Sequence, residues 1–227
     1  FYDLQAYRTT SLPALPSRAT KGHPDDHGYF AEPDTVTINS STIQLNGIPD
    51  KLIIFVRKPT TSLKCSDTDC YATIKHVSMN FNNQAGLLSS MTPEQLFRNS
   101  VQSSLANMSW DEFCGSAVSC GGYPIVAGTT PTLAEHAGLK APYAGVGSFL
   151  DSRNNTTTAR TGVQYSPTTG TSLVLNFAEC IQLTEEYYAP GSLGSFNLQV
   201  ALGVQNSHYE DWTNATLHEL VIIPLMS

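Results

Sequence analysis

Charge is scarce in this chain. Asp, Glu, Lys and Arg make up 14% of its 227 residues, where an ordinary globular domain carries about a quarter. The shortage is heavier on the basic side, with 12 Lys and Arg against 19 Asp and Glu and a net charge of -7. A nucleic-acid binder needs clustered cations to neutralise phosphates. The densest basic stretch here is Arg57-Lys58 followed by Lys64, so no direct grip on nucleic acid is expected from this segment. Long apolar runs are also missing. None reaches the roughly 18 residues of a spanning helix, and no membrane span is expected.

The signatures of several chemistries are absent as well. Neither G-x-G-x-x-G nor G-x-x-x-x-G-K-[ST] occurs, so nothing points to a phosphate cradle. No G-x-S-x-G presents a nucleophilic serine; Gly145-Val-Gly-Ser148 is similar only on the surface and reads as a turn. The five cysteines are Cys65, Cys70, Cys114, Cys120 and Cys180. Their spacings are not the C-x2-C of a zinc site. Cys65–Cys70 and Cys114–Cys120 bridges would each close a short loop, and five free thiols are the plainer reading. The immunoglobulin pattern Cys…Trp…Cys is absent, since Trp110 precedes the Cys114–Cys120 pair and Trp212 follows the last cysteine.

Among the titratable residues, His23-x3-His27 with Asp25 and Asp26 is the one local cluster, and a solvated turn explains it better than a metal. His76 lies in an alternating stretch and reads as structural. Glu185-Glu186 and Glu210-Asp211 are adjacent pairs, which a strand would point to opposite faces, not into one glycosidase cleft. Asn39, Asn107, Asn154, Asn155 and Asn214 open N-x-[ST] sequons that carry weight only in a secretory setting. No catalytic residue, no cofactor and no metal is therefore assigned. Tyr187-Tyr188, beside Pro190-Gly191, is the one exposed aromatic pair worth marking. It reads as a contact with a neighbouring subunit or loop, and a sugar-binding surface is its alternative.

What the chain has in quantity is turn material, 16 Gly and 13 Pro with many Ser, Thr and Asn, and short alternating runs. Residues 1–34 are rich in breakers and read as an extended arm or an interdomain connection. The start at Phe1, without a methionine, reads as a processed product or a fragment. Strands are expected over 36–39, 43–45, 51–57, 72–81, 171–177, 195–205 and 217–225. Lys51-Leu-Ile-Ile-Phe-Val-Arg57 is apolar on both faces in its middle, as in a sheet covered on both sides. Ile74 is out of phase by one residue with Val77, Met79 and Phe81, which predicts a β-bulge between them.

Thr92-Pro-Glu-Gln reads as a helix N-terminus with proline at the first position and a reciprocal Gln. Leu96, Phe97, Val101 and Leu105 follow at helical spacing, and a second short helix is expected over 109–113 under Ser109. Residues 114–170 show weak periodicity and read as a long loop insertion. Without a βαβ unit the class is all-β. A jelly-roll sandwich over 35–227, with a short helical insertion and long loops, is the expected fold.

Four segments, in order, resemble the major capsid proteins of double jelly-roll viruses, the virophage and Polinton-like group. Ile43-Gln-Leu-Asn-Gly-Ile-Pro-Asp-Lys-Leu-Ile-Ile-Phe-Val-Arg57 is similar to the first strand pair of that family's C-terminal jelly roll. Met79-Asn-Phe-Asn-Asn-Gln-Ala-Gly-Leu-Leu-Ser-Ser90 and Thr92-Pro-Glu-Gln-Leu-Phe-Arg-Asn-Ser100 are similar to its next strand and helix. Leu173-Val-Leu-Asn-Phe177 and Tyr188-Ala-Pro-Gly-Ser-Leu-Gly-Ser-Phe-Asn-Leu-Gln-Val200 are similar to its late strands. The resemblance implies a structural subunit of an icosahedral virion and no enzymatic role. Its implied partners are copies of itself in a trimeric pseudo-hexagonal capsomer, the other jelly roll of the same protein, neighbouring capsomers, and penton or minor capsid proteins. A double jelly-roll protein is about twice this length or more, so one half of it is expected here. A single jelly-roll subunit of penton type is the alternative, and a carbohydrate-binding or attachment sandwich a further one.

Overall fold

The computed structural model describes residues 5–16, 34–63, 71–104, 107–123, 160–177, 179–183, 189–206 and 217–226. Eleven strands are seen among them. They are β1 (Tyr7–Thr9), β2 (Val36–Asn39), β3 (Ile43–Gly47), β4 (Lys51–Arg57), β5 (Thr73–Phe81), β6 (Gln84–Leu87), β7 (Ser116–Tyr123), β8 (Arg160–Pro167), β9 (Ser172–Asn176), β10 (Leu193–Gln205) and β11 (Glu219–Leu225). Two helices, α1 (Pro93–Ser103) and α2 (Trp110–Phe113), stand between β6 and β7.

Two antiparallel sheets form the sandwich. One runs β1-β11-β4-β9; the other runs β2-β10-β5-β6, with β3 also paired to β10. The chain crosses between sheets at β1–β2, β3–β4, β4–β5, β9–β10 and β10–β11, the pattern of a jelly-roll sandwich. Alternation builds the core. Leu52, Ile54 and Val56 of β4 face Val77, Met79 and Phe81 of β5 and Leu198, Val200, Leu202 and Val204 of β10 in one buried cluster. Full burial of each such side chain contributes about 1.5–3 kcal/mol relative to exposure. The opposite face of β4 is only half covered: Ile53 and Phe55 are partly buried. Phe55 is flanked there by Tyr71 at 4.9 Å and by the Arg57 guanidinium at 5.7 Å.

The long strand β10 carries β2 and β3 end to end along one edge, and a bulge separates them. Ala201 pairs with Asn39 and Leu198 with Ile43, so residues 40–42 stand opposite residues 199–200. Ser40 keeps the ladder closed: its N–H donates to the Val200 carbonyl at 2.8 Å and its hydroxyl accepts from the Val200 N–H at 2.9 Å. On the other side of β10, Gly203 pairs with His76 and Val204 with Ile74. Lys75 is thus the extra residue, which is the bulge that the phase of Ile74 predicts. His76 is exposed.

Three regions depart from the strand list read from the sequence, one of them the short strand β6, which pairs with β5. The N-terminal segment supplies β1, and Leu12 and Leu15 enter the core at 7% and 0% exposure. The ends of the stretch read as a loop over 114–170 are paired, β7 with β8, from Ser116 opposite Pro167 to Tyr123 opposite Arg160. Glycine-rich Ser-Ala-Val-Ser-Cys-Gly-Gly-Tyr has too little alternation to announce a strand. Pro224 sits in β11 beyond the Leu220–Ile222 stretch that β1 covers, where a strand proline is tolerated.

Candidate assembly site

The edges of a sandwich are where unpaired backbone groups can accept a further strand. The free edge of β9 is closed by α1. The helix starts on a complete capping box: the Thr92 hydroxyl accepts from the Gln95 N–H, the Gln95 side chain accepts from the Thr92 N–H at 3.0 Å, and Pro93 follows. From that start, Leu96, Ser100 and Ser103 face inward and are buried. This corrects the stripe expected from Leu96, Phe97, Val101 and Leu105: Phe97 and Val101 are partly buried, and Leu105 lies outside the described residues.

Ser100 is the closing group. Its hydroxyl donates to the Ser172 carbonyl at 3.1 Å and accepts from the Val174 N–H at 2.9 Å. An i, i+2 pair of outward backbone groups on an edge strand is what a further strand would take, and one serine satisfies both. Lys51 of β4 donates to the Ser103 carbonyl at 2.7 Å, a cation at the helix C-terminus where the dipole favours it. The Cys180 thiol is 3.3 Å from the Ser103 hydroxyl.

α2 repeats the cap in miniature. The Ser109 hydroxyl accepts from the Glu112 N–H, and the Glu112 carboxylate accepts from the Ser109 N–H at 2.7 Å. Hydrogen bonds from the Ser109 backbone and then its hydroxyl hold the Glu112 carboxyl below the usual range; Glu94 is lowered likewise, first by its own backbone N–H and then by Thr92. Phe97, Trp110 and Phe113 form an aromatic group, with centroids 5.4 Å apart from Phe97 to each of the others. Buried hydroxyls tie α2 to the sandwich. Thr171 accepts from the Ile74 N–H at 3.0 Å and donates to the Phe113 carbonyl at 2.8 Å, and Thr73 donates to the Cys114 carbonyl at 2.9 Å. The sequence reading missed these serines and threonines. The available signal was their spacing, since Ser100 and Ser103 follow Leu96 at i+4 and i+7.

Gly170 fixes where β9 begins. It has φ +83°, and a Cβ there would stand 2.0 Å from the Tyr71 carbonyl oxygen. Gly170 N–H donates to the Glu112 carbonyl at 2.9 Å, and Tyr71 N–H to the Thr169 carbonyl at 2.7 Å. Large exposed apolar side chains lie toward the ends of the strands. Leu63 and Leu217 are at the end where Arg57 meets Glu219; Leu193 and Met226 are at the end where Lys51 meets Leu225. Leu193 is 90% exposed.

Tyr187 and Tyr188 lie outside the described residues, as do the His23–His27 cluster, Gly145–Ser148, Glu185-Glu186 and Glu210-Asp211. The chain that follows the tyrosines is anchored, with Gly191 N–H donating to the Ile48 carbonyl at 2.8 Å. Among the described residues, no three His, Cys, Asp or Glu side chains converge on a metal-sized site. No helix among them is long and apolar enough to cross a membrane.

Comparison with known proteins bears on this arrangement. Residues 20–140 and 141–227 match the model of the major capsid protein V20 C-terminal domain. The chain is 32% identical over 85 residues to capsid protein V20 of Sputnik virophage, a stretch covering 35% of this chain and 14% of that protein. Its fold superposes on a chain of the Sputnik virophage particle with a TM-score of 0.61 at 20% identity, covering 97% of this chain and 34% of that one. For the mavirus major capsid protein the TM-score is 0.58 at 12% identity, covering 97% and 37%. The chain thus spans about a third of the length of these solved relatives. A match that runs through both sheets and the helices between them settles the family: the chain belongs to the major capsid protein V20 C-terminal domain family.

Proposed function

We propose that this chain is a structural, non-enzymatic subunit of an icosahedral viral capsid, residing in the virion as one jelly roll of a double jelly-roll protein. The observation that carries the reading is the family match over residues 20–140 and 141–227 on a sandwich of the same fold. In this reading residues 35–227 are the jelly-roll domain, and residues 1–34 are an arm or interdomain connection of which residues 5–16 are packed into the sandwich. Three copies, each with its other jelly roll, make a pseudo-hexagonal capsomer, which meets neighbouring capsomers and penton or minor capsid proteins. The insertion over 114–170 and the Tyr187-Tyr188 pair supply contacts between subunits. An edge strand closed by a helix supports such a role, because a shell needs finite contacts.

Native mass spectrometry of particle-derived material tests the proposal. A mass of three copies of a polypeptide containing this chain supports the capsomer; a species that stays monomeric at high concentration removes it. Replacing Tyr187 and Tyr188 together by alanine should lower the yield of trimer while leaving the melting temperature of the monomer unchanged. An unaltered yield removes the pair from the interface.

A further inference from the structure

We propose that His218 is an acid-sensitive latch: neutral and buried, it closes one end of the sandwich, and its protonation opens that end. The device belongs to the fold and holds whether or not the chain assembles.

The placement follows from the ladder. Glu219 pairs with Arg57, so the next step sets His218 against Lys58. Glu219 and Arg57 meet on the outer face of the sheet, whereas Leu220 and Val56 lie in the core cluster. Alternation therefore turns His218 and Lys58 inward together. Both are buried, at 1% and 5% exposure. Across the sandwich β11 lies over β10, because their outer neighbours β1 and β3 meet through Tyr7 and Gln44. Asn206, two residues past the inward Val204 of β10, is the group that faces His218, and it too is 1% exposed.

The surrounding strands decide how an imidazolium would fare there. β4 brings Lys58, a charge of the same sign. Past Leu220 the partner strand β1 continues into Thr10-Ser-Leu-Pro-Ala-Leu15, which has no titratable group. β2, paired to β10 at Val36–Val204, brings Asp34 level with Asn206, but Asp34 is exposed and water weakens its field. The Tyr71 ring, just before β5, packs on Phe55 at the outer face. Glu219 is turned outward into its pair with Arg57. Among the described residues, burial first and Lys58 second both favour the neutral ring. A folded state that excludes a proton which the unfolded chain accepts loses stability as pH falls below the ordinary histidine value of about 6.5. Opening would begin beside the Arg57–Glu219 pair and run into the three residues of β11 that hold β1.

Ring titration by NMR in the full chain, with His218 assigned through its bonds to the backbone, reads the site directly. Its ring should still be neutral at pH 5.5, where a histidine of ordinary value is about nine-tenths charged. Lys58→Met should move its midpoint upward. Urea titrations at pH 7.5 and 5.5 read the consequence. The unfolding constant of the parent should rise about tenfold more over that interval than that of His218→Gln. Amide exchange over residues 219–222 should quicken in acid relative to the core amides of β10. A His218 ring charged at pH 5.5 in the folded chain, or a variant that loses stability as steeply as the parent, overturns the latch. Exchange at 219–222 that keeps step with β10 overturns the opening. Where the variant fails to fold, the ring titration of the parent decides alone.

Discussion

The Ser100 hydroxyl and the Val174 backbone nitrogen lie 2.9 Å apart, and the same oxygen is 3.1 Å from the Ser172 carbonyl. This one side chain gives β9 the two hydrogen bonds that an added strand would otherwise make. It sits on a helix that is itself held at both ends, by the Thr92–Gln95 box and by Lys51.

Ser100→Ala should therefore both destabilise and unmask. Loss of two buried hydrogen bonds costs about 1–3 kcal/mol, and the exposed edge should raise the fraction of large aggregates. Thermal melting and analytical ultracentrifugation read the two effects separately. An unchanged sedimentation profile at a lowered melting temperature would show that the edge is protected by other means.

Glycine substitutions should separate strain from crowding. Gly170→Ala would place a Cβ 2.0 Å from the Tyr71 carbonyl at φ +83°, and a cost of about 3 kcal/mol or more is expected. Gly203→Ala would meet His76 Cβ at 3.1 Å and Thr35 Cγ2 at 3.2 Å with no left-handed φ, so about 1 kcal/mol is expected. Equal losses in denaturant titration would contradict this ranking.

Arg57 and Glu219 are an ion pair at 2.8 Å joining β4 to β11, with Glu219 4% exposed and Arg57 28%. Arg57→Ala leaves a buried carboxylate without its guanidinium and should cost about 2–4 kcal/mol, the lower half applying because Arg57 is partly solvated. Replacing both residues by apolar ones of similar size should recover much of that loss. A single substitution as harmless as the double one would show that the pair contributes little.

The Glu112 carboxyl is lowered by the Ser109 backbone and hydroxyl. A lowered folded-state value means the stabilisation is present above the ordinary value of 4.5 and is lost as pH falls through the folded value. Glu112→Gln, which keeps an acceptor but no charge, should therefore differ from the parent in melting temperature at pH 7. The difference should narrow as the pH is brought to 3. A gap independent of pH would place the effect of the substitution elsewhere.

Local pattern carried much of the fold. Lys51–Arg57 is a seven-residue strand in the structure, as its apolar run bounded by charges and Pro59 predicts, the capped starts at Thr92 and Ser109 are formed, and the phase slip at Ile74 is the bulge at Lys75. Each of these is written in residues within one turn or one strand of one another. β1 was not legible, because Tyr-Arg-Thr is too short to show a period and is a strand only against β11. β7 and β8 were hidden for a related reason, since their pairing joins residues some forty positions apart in sequence that alternate weakly.

By itself, then, the sequence determined the β class, the capped helices, the bulge and the lack of a local catalytic or metal-binding motif, since all of these are set by side-chain period and short spacings. Only the tertiary structure decided that Ser100 closes β9, that Ser40 bridges the break between β2 and β3, and that residues 5–16 belong to the sandwich. Those are long-range hydrogen bonds. A serine on a helix face or in a strand carries no mark of which distant backbone group it will meet until the core has brought the two together.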